Sequence, residues 1–160
     1  MDTKKTKQKI TELEKRIQTM EDRDPFYMIK DLKKLRHMVM YIHMRIEASL
    51  ELLLSYYLMD WKTYKHDVLE SAKFLYRFSQ IYNKMEFSQK VGLCSKLGLI
   101  EDNLRGKIFA VNDYRIYFAH PKAYERDINR LKRSEKRLKV LETLVTAMDS
   151  INSLFPTVGK

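Results

Sequence analysis

Arg115 and His120 stand five residues apart in the segment VNDYRIYFAHP, which covers residues 111–121. An arginine guanidinium is a permanent cation whose planar fork suits a phosphate group. A histidine imidazole titrates near neutral pH and can therefore take up or release a proton during a reaction. Together the two predict chemistry at a phosphodiester, with the arginine stabilising phosphate charge and the histidine moving a proton. RNA supplies its own nucleophile, the 2′-hydroxyl group, so this reaction would need no metal ion.

The spacing of apolar residues predicts that Arg115 lies on the inner face of a helix. Four apolar residues follow one another at intervals of four, three and seven positions, which places them on one face of a helix: Leu104, Ile108, Val111 and Phe118. Arg115 falls in the gap of this stripe, so we expect it to point toward the helical bundle. A buried guanidinium is costly unless it is paired. Glu47 and Glu51, which interrupt an earlier apolar run, are the candidate partners.

His120 is expected at the end of the same helix. Pro121 follows it directly, and a proline disfavours helical geometry at the residue before it. An ideal helix would place His120 about 140° round from Arg115. A helix that ends at His120 would instead allow the imidazole to turn back toward the groove that Arg115 faces.

The segment resembles the HEPN family, the all-helical higher eukaryote and prokaryote nucleotide-binding domains. Their hallmark is an arginine, four to six residues and a histidine on a late core helix, often read as Arg-Asn-x-x-Ala-His-Pro. The matching positions are Arg115, Ala119, His120 and Pro121, with Phe118 as the usual apolar filler. KLGLI, at residues 96–100, and RIEASLELLLSYYL, at residues 45–58, also resemble family segments. The resemblance covers roughly residues 26–150.

The resemblance implies a metal-independent endoribonuclease, frequently a homodimer in which two Arg/His motifs face each other across a cleft. Such proteins act in toxin–antitoxin pairs, defence or RNA processing, so RNA, a second copy and an antitoxin or regulatory protein are the expected partners, with no cofactor. The residue after the motif arginine is commonly polar, but here it is Ile116. Asn112 or Asp113 could supply the polar group from the preceding turn.

A basic surface is expected directly after the motif. Residues 122–139 carry eight basic and three acidic side chains, which accounts for half of the formal net charge of +10. Three of these cations would extend a phosphate-binding surface: Lys122, Arg126 and Arg130. A solvated helix face without a ligand is the alternative interpretation of the same charges.

Two other function classes remain open at this stage. A catalytically inactive HEPN-like module would act as a regulator or as a protein or nucleic-acid binding partner, which Ile116 favours. A metal-containing helical bundle would use His43 and Glu47, which are four residues apart on one helix face. Glu-x-x-His, the pattern that carboxylate-bridged di-iron bundles use twice, does not occur in the chain. We therefore expect no metal site.

The pattern of apolar residues predicts an all-α protein, an antiparallel helical bundle with an N-terminal coiled-coil-type helix. We expect a domain boundary after an N-terminal amphipathic helix at residues 1–24, and the HEPN-like bundle at residues 25–160. The N-terminal helix would dock on the bundle or pair with another copy. The further helices are expected at 25–59, 61–81, 87–97, 102–120 and 121–154, with Gly98 ending the fourth helix.

Composition argues against a disulfide-bonded, secreted or membrane-spanning protein. The single cysteine, Cys94, allows no disulfide within the chain and is expected to be a small buried hydrophobic residue rather than a reactive thiol. The first 20 residues are highly charged and do not resemble a secretory signal. The longest apolar run in a helical context, residues 52–59, is far too short to cross a membrane. The expected location is cytoplasmic, with no membrane partner.

Overall fold

The computed structural model describes residues 3–22, 35–58, 68–120 and 134–155. Six helices occupy these ranges: α1 (Thr3–Asp22), α2 (Leu35–Leu58), α3 (Val68–Tyr82), α4 (Phe87–Lys96), α5 (Asp102–Ala119) and α6 (Ser134–Asn152). The predicted all-α helical bundle is confirmed. The expected beginnings of the second, third and sixth helices, at 25–34, 61–67 and 121–133, lie outside the described residues.

Helix α2 is the central element of the bundle. It packs against α3, α4, α5 and α6, and its inward side chains are apolar along almost its whole length. The fully buried residues of α2 recur at helical spacing: Met38, Val39, Tyr41, Ile42, Ile46, Leu50 and Leu54. A helix surrounded by neighbours must be apolar over a wide arc. Polar residues on the inner side of α2 therefore need polar partners on the neighbouring helices.

Helix α1 docks on the bundle through one apolar face, which is one of the two arrangements expected for an amphipathic N-terminal helix. Ile17 is completely buried in the common core, and Ile10, Leu13 and Met20 pack against that core. The main partner of α1 is α6. Three ion pairs, Lys9–Glu142, Arg16–Asp149 and Arg137–Glu14, also join α1 to α6.

The ends of α4 and α5 follow from local sequence. Gly98 has a φ of 69°, the left-handed conformation that glycine adopts most easily. The N–H of Gly98 donates to the carbonyl of Ser95 and the N–H of Leu99 to that of Cys94, which is the Schellman arrangement. His120 closes α5 in an extended conformation, with φ −89° and ψ 107°. Both predicted helix ends are confirmed.

None of the described helices combines the length and the apolar character that crossing a bilayer requires.

Candidate functional site

The inner face of α5 is confirmed, except at Arg115. The four predicted apolar residues of the stripe are buried: Leu104, Ile108, Val111 and Phe118. Arg115 itself is exposed, so the prediction that it points into the bundle is wrong. A long arginine side chain can carry its guanidinium out to water although its Cα lies on an inner face. This avoids the cost of burying a charge.

The expected partners of Arg115 are paired with another cation. The Nζ atom of Lys90, on α4, lies 2.6 Å from Oε1 of Glu47 and 2.5 Å from Oε1 of Glu51. The Lys90 side chain is only 5% exposed, whereas each carboxylate side chain keeps about a third of its exposure. The prediction that Glu47 or Glu51 orients Arg115 is therefore wrong, because a buried ammonium needs these charges more than an exposed guanidinium does.

The electrostatics of Lys90 fit this arrangement. Burial by itself would lower the pKa of the Lys90 ammonium. The hydrogen bonds to the two carboxylates outweigh burial, so the pKa is raised above its usual range. Lys90 therefore stays charged throughout the physiological pH range and joins α4 firmly to α2.

A second polar contact joins α2 to α5. The Nε2 atom of His43 lies 3.2 Å from Oδ1 of Asn112. The imidazole also packs on the ring of Phe87, with the ring centroids 4.2 Å apart and the planes tilted by 30°. His43 is 6% exposed, so its ring is held on one side by an aromatic residue and on another by an amide. Asn112 was expected to supply a polar group beside Arg115, but its side-chain oxygen contacts His43 instead.

The charge state of His43 depends on these surroundings. Burial is the largest cause that lowers the pKa of His43 below the ordinary value of 6.5. The nearby positive charges of Arg115 and Lys90 lower this pKa further. The carboxylate of Glu47 and the hydrogen bond to Asn112 oppose the shift without cancelling it. The imidazole is consequently neutral at pH 7.

These contacts form one group of polar side chains inside the bundle, which we call the polar cluster. It consists of His43, Glu47, Glu51, Lys90 and Asn112, from α2, α4 and α5. Arg115 follows Asn112 by three residues on α5, so the two lie on the same side of that helix. Because Arg115 is exposed and Asn112 contacts His43, Arg115 lies at the solvent edge of this cluster. The fold thus places an exposed cation next to a neutral imidazole.

The other predicted site residues are separate from the polar cluster. Asp113 is exposed on α5. His120 is exposed at the end of α5, five positions after Arg115, which corresponds to about 7.5 Å along the helix axis. Lys122, Arg126 and Arg130 lie outside the described residues.

Two members of the polar cluster, His43 and Lys90, were not part of the phosphate site predicted from the sequence. His43 was expected only as a metal ligand. It lies four residues before Glu47 and eight before Glu51, on one polar face of α2, and this spacing could have identified it as a neighbour of the two glutamates. Lys90 carries no comparable signal, because a lysine in a short amphipathic helix is normally solvated.

The candidate metal site is not assembled. Within the described residues no three or more histidine, cysteine, aspartate or glutamate side chains are close enough to hold a metal ion. Glu47, the expected partner of His43 in that hypothesis, forms an ion pair with Lys90. Cys94 is buried, as expected for a packing residue.

A scan against protein-family models, a search of curated proteins and a search of solved structures found no match to this chain.

Proposed function

We propose that this chain is a HEPN-like, metal-independent endoribonuclease in which Arg115 binds the scissile phosphate and His120 transfers a proton. The observation that carries the proposal is the position of Arg115. Arg115 is exposed at the edge of the polar cluster, and Glu47 and Glu51, the carboxylates expected to pair with it, are paired with Lys90 instead. An exposed guanidinium that forms no ion pair with Glu47 or Glu51 can bind a phosphate without first breaking such a pair.

The reaction is a transesterification within the RNA. The 2′-hydroxyl oxygen attacks the adjacent phosphorus, and the bond from phosphorus to the 5′-oxygen breaks. The products are a 2′,3′-cyclic phosphate and a free 5′-hydroxyl end. One imidazole accepts the proton of the 2′-hydroxyl and an imidazolium gives a proton to the leaving 5′-oxygen. Each transfer typically contributes a factor of about 100 to 10,000 to the rate.

Two copies of the chain would complete this chemistry. Each protomer supplies one Arg115 and one His120, so a dimer provides both the base and the acid. Arg115 stabilises the extra negative charge that develops on the phosphate oxygens. Lys122, Arg126 and Arg130 extend the surface that binds the RNA backbone. We place the protein in the cytoplasm, as a toxin, defence or RNA-processing component with a possible antitoxin or regulatory partner.

Cleavage of single-stranded RNA in the presence of EDTA tests the proposal. We expect the wild-type protein to cut RNA and leave a 2′,3′-cyclic phosphate. Arg115→Ala and His120→Ala should each slow cleavage at least about 100-fold, in line with the loss of one acid–base or electrostatic group.

Arg105→Ala is the matched control. Arg105 is an exposed arginine near the other end of the same helix. An Nη atom of its guanidinium lies 3.2 Å from Oδ1 of Asp102. Its loss should change the cleavage rate less than about twofold if cleavage depends on the Arg115 site. Cleavage that persists in both Arg115→Ala and His120→Ala would contradict the proposal and indicate a contaminating nuclease.

One observation favours a second candidate, a catalytically inactive HEPN-like module. Ile116, next to Arg115, has 43% of its surface exposed where the family commonly has a polar group. An exposed apolar residue beside a cation suits contact with another protein better than proton transfer. In that case the pure protein would leave RNA intact, and a stable complex with a partner protein would survive His120→Ala but weaken in Ile116→Asp.

A further inference from the structure

The hydrogen bond to Asn112 fixes which nitrogen of His43 carries a proton. The Oδ1 atom of Asn112 can only accept, so Nε2 of His43 must donate across the 3.2 Å contact. In the neutral imidazole the other nitrogen, Nδ1, is therefore without a proton. The packing on Phe87 holds the ring in this orientation. His43 is thus a fixed imidazole that can take up one proton, at Nδ1.

The charges that act on His43 come from three helices. Glu47 on α2 favours the imidazolium, while Lys90 on α4 and Arg115 on α5 oppose it. Lys90 is already paired with Glu47 and with Glu51. Arg115 lies three residues after Asn112 on the same side of α5, and Asn112 contacts the imidazole. Of the two cations Arg115 is the exposed one, so it is the charge that a dissolved anion can neutralise.

We propose that His43 takes up a proton when a phosphodiester binds at Arg115, so that the anion and the proton bind cooperatively. The inference rests on the phosphate-binding role of Arg115 in the proposed function. A bound phosphodiester offsets the positive charge that opposes protonation of His43 and adds a negative charge near the ring. His43 then acts as a positioning residue whose imidazolium attracts the bound anion electrostatically, while Arg115 makes the direct contact.

Thermodynamic linkage gives the size of the effect. If anion binding raises the affinity of His43 for a proton by some factor, protonation raises the affinity for the anion by the same factor. A change of one pKa unit on binding corresponds to a tenfold difference in affinity between the two protonation states. We expect the affinity to rise by up to about tenfold as the pH falls from above the pKa of His43 in the complex to below its pKa in the free protein.

The probe is a single-stranded 2′-O-methyl oligoribonucleotide. It has no free 2′-hydroxyl and cannot be cut, and its phosphodiesters keep the same charge over this pH range. The titration of His43 is followed by NMR of protein labelled with nitrogen-15 in histidine, with and without the oligonucleotide, at constant salt. His43→Gln identifies the signal and retains an N–H donor for Asn112. The signal of His37, six residues earlier on α2, serves as the internal control.

A rise of about one unit in the pKa of His43 on binding, with a smaller change at His37, would support the inference. In His43→Gln the affinity for the oligonucleotide should then change less with pH than it does in the wild type. Arg115→Ala should abolish the change at His43 in the presence of the oligonucleotide.

Two results would overturn the inference in distinguishable ways. If the oligonucleotide binds in a manner that Arg115→Ala abolishes, but the titration of His43 is unchanged, the inference fails and the proposed function stands. If the wild type does not bind it, or binds it equally well without the Arg115 side chain, both fail. If His43→Gln is unstable, sequential NMR assignment of the wild-type protein identifies the His43 signal instead, so both outcomes stay measurable.

Discussion

The Nε2 atom of His43 lies 3.2 Å from Oδ1 of Asn112, and this hydrogen bond joins α2 to α5 between residues 69 positions apart. Asn112 is followed three residues later, on the same side of α5, by Arg115, whose positive charge lowers the pKa of the same imidazole. His43, a buried neutral imidazole with a defined tautomer, therefore lies on the inner side of the exposed Arg115. This relationship provides a measurable link between the stability of the bundle and the chemistry proposed at its edge.

The stability of the protein should fall as the pH is lowered from about 7 to 5, in part because of His43. The pKa of His43 is lower in the folded protein than the ordinary value of 6.5, so the unfolded chain binds a proton first as the pH falls. The contribution of neutral His43 is therefore intact above pH 6.5 and is lost as the pH falls through the lower, folded value. Thermal unfolding followed by circular dichroism at several pH values measures this loss.

His43→Gln removes this titrating group while keeping an N–H donor for Asn112. Its melting temperature should be lower than that of the wild type at pH 7.5 but should decline less steeply toward pH 5. A variant that loses stability with pH in parallel with the wild type would show that other groups cause the decline.

Lys90→Met should destabilise the bundle by about 2–3 kcal/mol. The substitution leaves the carboxylates of Glu47 and Glu51 facing each other without the ammonium that both contact. The loss of one partner from a fully buried ion pair costs about 3–5 kcal/mol, and the partial exposure of both carboxylates reduces this figure. Urea unfolding measures the free energy of unfolding.

Two further variants separate the loss of charge pairing from the loss of the lysine itself. Lys96→Met changes an exposed lysine on the same helix and should alter stability by less than about 0.5 kcal/mol. Adding Glu47→Gln and Glu51→Gln to Lys90→Met should restore most of the lost stability, because no uncompensated charge then remains. An unaltered stability in Lys90→Met alone would refute the importance of this pairing.

Helix α1 should be held by its apolar stripe rather than by its ion pairs. Ile17 is completely buried, and truncation of a buried isoleucine to alanine costs about 2–5 kcal/mol. Its neighbour Arg16 pairs with Asp149 at 2.7 Å, but both side chains are substantially exposed, and such pairs contribute less than about 1 kcal/mol. Urea unfolding of Ile17→Ala and Arg16→Ala compares the two directly. A larger loss in Arg16→Ala would reverse this ranking.

Cys94 should be unreactive in the folded protein. Burial raises the pKa of the Cys94 thiol to about 12, and only the thiolate reacts readily with disulfide reagents. A thiol-reactive disulfide reagent at pH 8 should therefore modify no cysteine in the native protein and one cysteine per chain in denaturant. Rapid modification of the native protein would mean that the region around α4 opens frequently.

The sequence by itself determined the helices and much of what each one buries. The apolar stripe of α5, the left-handed Gly98 and the extended His120 all depend on interactions within a few residues, namely helical periodicity, the conformational freedom of glycine and the effect of Pro121 on its predecessor. Local rules of this kind can be read without knowledge of the tertiary fold.

Only the tertiary structure decided which charges meet. Glu47 and Glu51 could have paired with Arg115 on α5 or with Lys90 on α4, and helical spacing does not distinguish these partners. The packing of α4 against α2 places the short, buried Lys90 between the two carboxylates, while the longer Arg115 side chain reaches solvent. Which cation pairs with the two carboxylates depends on the distance between the helices and on how far each side chain reaches. The spacing of residues along a single helix gives neither quantity.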